Sequence, residues 1–295
     1  MLKIKNLSKT YPNGVQALRF VDLEIPRGMF GLLGPNGAGK STLMRTLATL
    51  QEADTGTAFL DDLDVLKDKE QVRRVLGYLP QEYGLYPRIT ALAMIDHFAV
   101  LKGYSSSRER REVVESLLRM TNLWDERKRH LGTFSGGMKQ RFGIAQALLG
   151  KPELIIVDEP TAGLDPQERR RFLNLLGTLG EGIVVILSTH IVEDVRELCG
   201  RFAILDRGQV LESGSPEGAI AKLSGRIWET RIERDEVARA RGLWAVISER
   251  MIGGQMAIRV LADARPGEEF VAVEADLEDV YLVTLGQTGA VVPQV

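Results

Sequence analysis

Nine residues constrain this chain more than any other stretch: Gly34-Pro35-Asn36-Gly37-Ala38-Gly39-Lys40-Ser41-Thr42. They satisfy the pattern G-x-x-x-x-G-K-[ST], follow the apolar run Met29 to Leu33 and lead into a helical pattern. Strand, loop and helix therefore stand in the order that a phosphate-binding loop needs. Its glycines let consecutive backbone N–H groups turn inward around a polyphosphate, and a helix starting near Lys40 adds its partial positive charge. In that setting Lys40 reaches the β- and γ-phosphates and the Ser41 hydroxyl meets Mg²⁺. The loop implies a nucleotide and leaves open what its energy drives.

A length of 295 residues allows one large domain, or one domain with an appendage. With 38 basic and 40 acidic residues the charge is nearly balanced, which gives no electrostatic reason to expect nucleic acid as a partner. The single cysteine, Cys199, excludes an internal disulfide, and with three histidines it argues against structural zinc. Lying in the helical pattern of Val192 to Leu198, Cys199 reads as a small buried side chain. The start, Met1-Leu2-Lys3-Ile4-Lys5-Asn6, is too polar for a signal peptide. The longest apolar runs, such as Ile183 to Leu187, are strand-sized. These features lead us to expect a cytoplasmic chain, with any membrane span supplied by other subunits.

Short strands are expected at Lys3 to Leu7, Ala17 to Ile25, Met29 to Leu33, Thr57 to Leu60 and Val75 to Leu79, with a turn at Pro12-Asn13-Gly14. Leu43, Leu47 and Leu50 are expected to mark one face of the helix after the phosphate loop. From Ala91 to Asn122 the pattern is helical and charged, which predicts a helical insertion over roughly residues 85–150. Alternation then returns: strand at Leu154 to Val157, helix at Arg169 to Leu179, strand at Ile183 to Leu187 and helix at Ile191 to Leu198. Such alternation predicts an α/β fold around a mostly parallel sheet. Near Ser224-Gly225 the character changes. Strands are expected at Arg226 to Arg234, Ala245 to Arg250 and Gln255 to Leu261, a hairpin turn at Gly253-Gly254 and a capped helix at Asp276 to Leu282. The expected division is a nucleotide-binding domain over 1–224 and a small α+β accessory domain over 225–295.

Two further motifs carry chemistry. In Leu154-Ile155-Ile156-Val157-Asp158-Glu159-Pro160 an apolar strand ends in two carboxylates, placing both at the sheet edge where open α/β sheets bind ligands. Asp158 suits a hold on Mg²⁺, directly or through water, and Glu159 suits a base or positioner for attacking water. A solvated turn is the plain alternative. In Phe134-Ser135-Gly136-Gly137-Met138-Lys139-Gln140-Arg141 a serine and two glycines open a helix and expose a second anion-binding N-terminus. Taken alone, that is also what an ordinary capped helix shows.

Together these motifs resemble the ATP-binding cassette (ABC) ATPases over roughly residues 2 to 220. The order is the family's: phosphate loop, Gln81, Ser135-Gly136-Gly137, Asp158-Glu159, Ala162-Gly163-Leu164-Asp165, then His190. The resemblance implies a P-loop NTPase fold of ABC type, with a parallel sheet core, an antiparallel β subdomain and a helical insertion. It implies ATP and Mg²⁺ as ligands and a dimer in which the phosphate loop of one subunit faces Ser135 and Gly137 of the other. Tyr11 would stack on adenine. Gln81 would touch Mg²⁺ and water, Asp165 would line the dimer interface, and His190 would grip the γ-phosphate. Each has a plainer reading: a turn aromatic, a polar strand end, a helix N-cap and a structural histidine. Phe134 and Met138 replace the Leu and Gln usual in the signature; Phe134 is expected as the apolar residue before the cap, and Met138 near dimer packing.

The segment Gln81-Glu82-Tyr83-Gly84-Leu85-Tyr86-Pro87, with Leu277-Glu278-Asp279-Val280-Tyr281, resembles the bacterial ABC-2 type subfamily of mostly export systems. That implies a membrane permease as partner, a peripheral place on the inner face of the membrane, and no nucleic acid. The alternative within the family is a soluble ABC ATPase acting on DNA or ribosomes. Such relatives carry long coiled coils, zinc modules or two cassettes, and none of these is read here.

Overall fold

A computed structural model describes residues 1–81, 84–179 and 182–287. Strands β1 (Leu2–Thr10) and β2 (Gln16–Ile25) form an antiparallel pair, closed where Gly14 N donates to Tyr11 O at 2.9 Å. The chain then enters β3 (Gly28–Leu33), the phosphate loop and α1 (Lys40–Leu47) before β4 (Thr55–Leu60) and β5 (Leu63–Asp64) complete a four-stranded sheet of order β2-β1-β4-β5. Next come α2 (Lys69–Val75) and β6 (Leu76–Leu79), and then the inserted helices α3 (Ala91–Leu101), α4 (Ser107–Met120) and α5 (Gly136–Ala147). The central sheet is finished by β7 (Leu154–Asp158), α6 (Pro166–Gly177), β8 (Val184–Thr189), α7 (Val192–Leu198), β9 (Arg201–Asp206) and β10 (Gln209–Gly214). Its order is β10-β9-β3-β8-β7-β6, with parallel pairing from β6 to β9 and an antiparallel edge at β10.

Every residue of β7 and β8 is buried, because each face of the sheet has its own cover. Leu154, Ile156, Val184 and Ile186 point into one core with Leu43 and Leu47 of α1 and the antiparallel sheet. The alternate residues Ile155, Val157, Val185 and Leu187 join Phe172 and Leu176 of α6 and Val195 of α7. The two-residue period thus divides the strands between two cores, each buried Leu or Ile contributing about 1.5–3 kcal/mol. The inserted helices pack on a third cluster that includes Ile95, Leu118, Phe134 and Phe142.

After α8 (Pro216–Ala221) the chain forms β11 (Ile227–Ile232), α9 (Val237–Leu243), β12 (Val246–Ile252), β13 (Gln255–Leu261), β14 (Val271–Ala272) and α10 (Leu277–Gln287). The sheet of order β12-β13-β11-β14 has a small core of Ala240, Ile258, Val260 and Phe270, with Trp244 set edge-on to Phe270 at 4.9 Å. The last helix turns away from that core. Its Leu277, Val280, Tyr281 and Leu285 join the core around α6 and α7. Reciprocal bonds between Asp276 and Asp279 start it, and Arg259 on β13 pairs with both carboxylates.

Several expected elements move. Helix α1 ends at Leu47, and Thr49 is left-handed (φ 61°), so Leu50 turns outward and is exposed instead of extending the helix face. Val75 closes α2 rather than opening a strand; α2 is a polar helix that buries Val72 alone. Strands β9 and β10 and helices α8 and α9 lie in stretches where no element was expected. Among the described residues no helix is long and apolar enough to cross a membrane.

Candidate functional site

Register assembles the site. Leu33 of β3 lies beside Thr189 of β8, so Gly34 and His190 leave the sheet together. Asp158 lies beside Ser188, and Leu79 of β6 lies beside Val157, which brings Gln81 to the same edge. The phosphate loop is braced from behind by Gly208 N donating to Ala38 O at 2.8 Å. Gly39 has φ 107°, and a Cβ there would stand 2.4 Å from Ala17 O, so glycine alone fits before α1. Helices α3, α4, α5 and α6 are capped by Thr90, Ser106, Ser135 and Asp165, whereas α1 has no side-chain cap and no acidic residue in its first turn. Its N-terminal N–H groups stay open to an anion.

Lys40 is buried and donates to Gly34 O at 2.5 Å and Pro35 O at 3.2 Å, with Glu159 Oε1 at 3.9 Å. Burial holds its amine below the ordinary lysine value, while the charges of Glu159 and Asp158 pull it back up. Glu159 Oε2 lies 2.7 Å from His190 Nδ1. An ionised carboxylate only accepts, so Nδ1 carries the proton and Nε2 is left to face a ligand. Glu159 has φ 48°, a left-handed conformation that costs a non-glycine residue about 1 kcal/mol or more, and its N–H donates to Ser188 O at 2.9 Å.

The donor set suits Mg²⁺. Asp158 is buried and its Oδ1 has no hydrogen-bond partner, an arrangement that a hard cation with oxygen ligands satisfies. Among the described residues no group of three or more His, Cys, Asp or Glu forms a metal cage. Mg²⁺ bound with a nucleotide is held by one or two carboxylates and by phosphate oxygens, so it requires no such cage.

The other sequence motif forms a second group. Ser135 caps α5, accepting from Met138 N at 3.2 Å, and Asp165 caps α6, accepting from Glu168 N at 2.9 Å. A Cβ on Gly137 would stand 2.3 Å from Glu168 Oε2, so the Glu168 side chain packs directly over the backbone of the signature turn. Arg141 holds Glu168 at 3.5 Å. Among the described residues no hydrogen bond or ion pair joins this group to the phosphate loop of its own chain. Phe134 is buried before the cap, and Met138 packs against the core of the inserted helices. Of the segment Gln81 to Pro87, Gln81 is exposed, and Glu82 and Tyr83 lie outside the described residues.

Three contributions were not foreseen from the sequence. The Asp206-Arg207-Gly208 turn braces the loop; its Arg-Gly pair between apolar runs was a readable turn signal. Gln51 and Thr42 bind the Tyr11 hydroxyl. Asp194 of α7, fully buried, accepts from Thr161 at 2.8 Å and from Arg169 at 2.9 and 2.6 Å, tying the turn after Glu159 to α6 and α7. Together with burial, its charge pushes the Cys199 thiol up to about 12, so this cysteine is inert at neutral pH. Asp194→Ala strands the Thr161 hydroxyl and frees Arg169; a loss of about 2–4 kcal/mol in urea unfolding is expected.

The comparisons with known proteins agree with this geometry. The ABC transporter family model matches residues 18–162. The linearmycin resistance ATP-binding protein LnrL of Bacillus subtilis is 35% identical over 227 residues, which are 76% of this chain and 72% of LnrL. The daunorubicin/doxorubicin resistance ATP-binding protein DrrA of Streptomyces peucetius is 33% identical over 280 residues, 94% of this chain and 81% of DrrA. The methionine import ATP-binding protein MetN of Symbiobacterium thermophilum is 35% identical over 251 residues, 82% of this chain and 75% of MetN. Among solved structures, the dimeric post-hydrolysis state of the cassette MJ0796 bound to ADP and Pi superposes with a TM-score of 0.66 at 31% identity, covering 73% of this chain and 98% of that one.

Proposed function

Because the chain belongs to the ABC transporter family of ATP-binding, ATP-hydrolysing proteins, we propose that it is the ATPase subunit of an ABC-2 type export system. In this reading residues 1–224 are the cassette and 225–295 an accessory domain, and two cassettes close around two ATP beneath a separate membrane permease. The chain then sits peripherally on the inner face of the membrane. The observation that supports export is the coverage of the match to DrrA, 94% of this chain against 82% for MetN. MetN matches the chain at a comparable identity, so the cassette alone does not set the direction of transport.

The γ-phosphate is a charged bridge between the open N-terminus of α1 and the N-terminus of α5, at Ser135, Gly136 and Gly137 of a second copy. Gly34 to Ser41 wrap the phosphates, Tyr11 meets the base, and Asp165 lies at the interface. Ser41, Asp158 and Gln81 hold Mg²⁺, which when bound neutralises charge on the phosphate oxygens. Glu159 accepts a proton from water as the water oxygen attacks the γ-phosphorus, and the bond to the β-phosphate oxygen breaks to leave ADP. Only as an imidazolium, a donor at both nitrogens, does His190 bond Glu159 through Nδ1 and the phosphate through Nε2. Loss of the γ-phosphate removes the bridge and lets the pair open. ATP shifts this equilibrium only because the closed pair binds it more tightly.

The test is to purify the tagged chain, solubilised from membranes of its own cells, in the presence of ATP. A polytopic membrane protein is expected in about equal amount. Recovery of ribosomes or DNA without any integral membrane protein would instead support a soluble role.

A further inference from the structure

Left-handed Thr49 folds the chain back over the last turn of α1, which brings Gln51 beside residues from its middle. The proton inventory there is complete. Gln51 Nε2 donates to Thr42 O at 2.9 Å and Thr46 Oγ1 at 3.0 Å, and Thr46 Oγ1 donates to Thr42 O at 2.8 Å. With both amide protons spent, the amide oxygen must face the other way, and it accepts from the Tyr11 hydroxyl at 3.1 Å. The Tyr11 oxygen lies 3.2 Å from Thr42 Oγ1, and since its own proton goes to Gln51, Thr42 is the donor there. The hydroxyl is thus held from two sides. The backbone of Tyr11 is fixed as well, donating to Val15 O and accepting from Gly14 N, each at 2.9 Å.

We propose that Gln51 is a positioning residue for nucleotide binding. It fixes the plane of the Tyr11 ring at the base end of the site and couples that ring to the helix that carries Lys40. The proposal rests on the reading that Tyr11 meets the base. A ring pinned at its hydroxyl and its backbone presents one face without losing rotamer freedom on binding, so an unpinned ring binds the base more weakly. Gln51 does not touch the phosphates, so its effect belongs to affinity and not to turnover.

The test measures calorimetric affinity for ATP and for tripolyphosphate, which lacks the base, beside steady-state hydrolysis. Gln51→Leu is accommodated because residue 51 borders a cavity shared with Thr46, Thr49 and Thr55. It is expected to weaken ATP about three- to tenfold and raise KM to match, with kcat at saturating ATP and tripolyphosphate affinity unchanged. Tyr11→Phe should weaken ATP by a similar factor, and adding Gln51→Leu to it should cost nothing more. Tyr11→Ala removes the stacking face and should weaken ATP further. If Tyr11→Ala leaves ATP affinity intact, the base contact itself is wrong and the proposal goes with it. If Tyr11→Ala weakens ATP while Gln51→Leu does not, the positioning role alone is overturned. Equal losses for ATP and tripolyphosphate in Gln51→Leu would show that the residue serves the phosphate loop, which also overturns it.

Discussion

Glu159→Gln is expected to lower steady-state ATP hydrolysis about 100-fold or more while ATP binding is kept or tightened. The substitution preserves volume in a position that is only 8% exposed, and the new amide oxygen can still accept from His190 Nδ1. What it removes is the capacity to take a proton and one negative charge beside the loop. ATP brings several negative charges to within reach of Lys40, which lies 3.9 Å from Glu159, so losing the carboxylate charge favours the bound state. With hydrolysis blocked, the phosphate bridge persists and a dimer should accumulate with ATP. Phosphate release and light scattering on the same sample check both halves. Wild-type turnover in this variant would remove Glu159 from the chemistry.

The placement of the candidate site residues was legible because each motif stands at a strand or helix end and its spacing is local. Lys40, Asp158, Glu159 and His190 all leave the parallel sheet at one edge, and apolar runs followed by polar residues are a one-dimensional trace of that edge. What the sequence hid is long-range. Asp194, Thr161 and Arg169 read as an ordinary charged helix, a hydroxyl and a basic run, and only folding brings them within hydrogen-bond distance. Gln51 was invisible for the same reason, since its role depends on one left-handed residue, Thr49, which no propensity announces. The final helix was recognisable from its cap. Its destination was not: Tyr281 crosses from the accessory sheet into the core around α6 and α7, where burial and the charges of Asp206 and Glu159 push its hydroxyl up to about 12. Amphipathic pattern says that a face will be buried and leaves open against what.

Lys40→Ala should produce the opposite separation from Glu159→Gln: nucleotide binding weakened about a hundredfold, and no ATP-driven dimer at ATP concentrations that saturate the wild type. The ammonium is the only cation that ion-pairs with Glu159 apart from His190 among the described residues, and it also ties Gly34 O and Pro35 O into the loop. Removing it leaves two buried carboxylates facing an incoming triphosphate, so a lost charge-assisted contact is compounded by repulsion. A penalty of about 3 kcal/mol corresponds to roughly a hundredfold weaker ATP. Lys40→Arg should be nearly as impaired, because a planar guanidinium cannot replace a compact ammonium in a site only 6% exposed. Circular dichroism must show that both variants keep the fold, and calorimetric titration with ATP then reads the effect. Undiminished binding in Lys40→Ala would place the nucleotide somewhere other than this loop. In the double variant with Glu159→Gln the carboxylate repulsion is halved, so part of the lost affinity should return; hydrolysis should not, because the proton acceptor is gone.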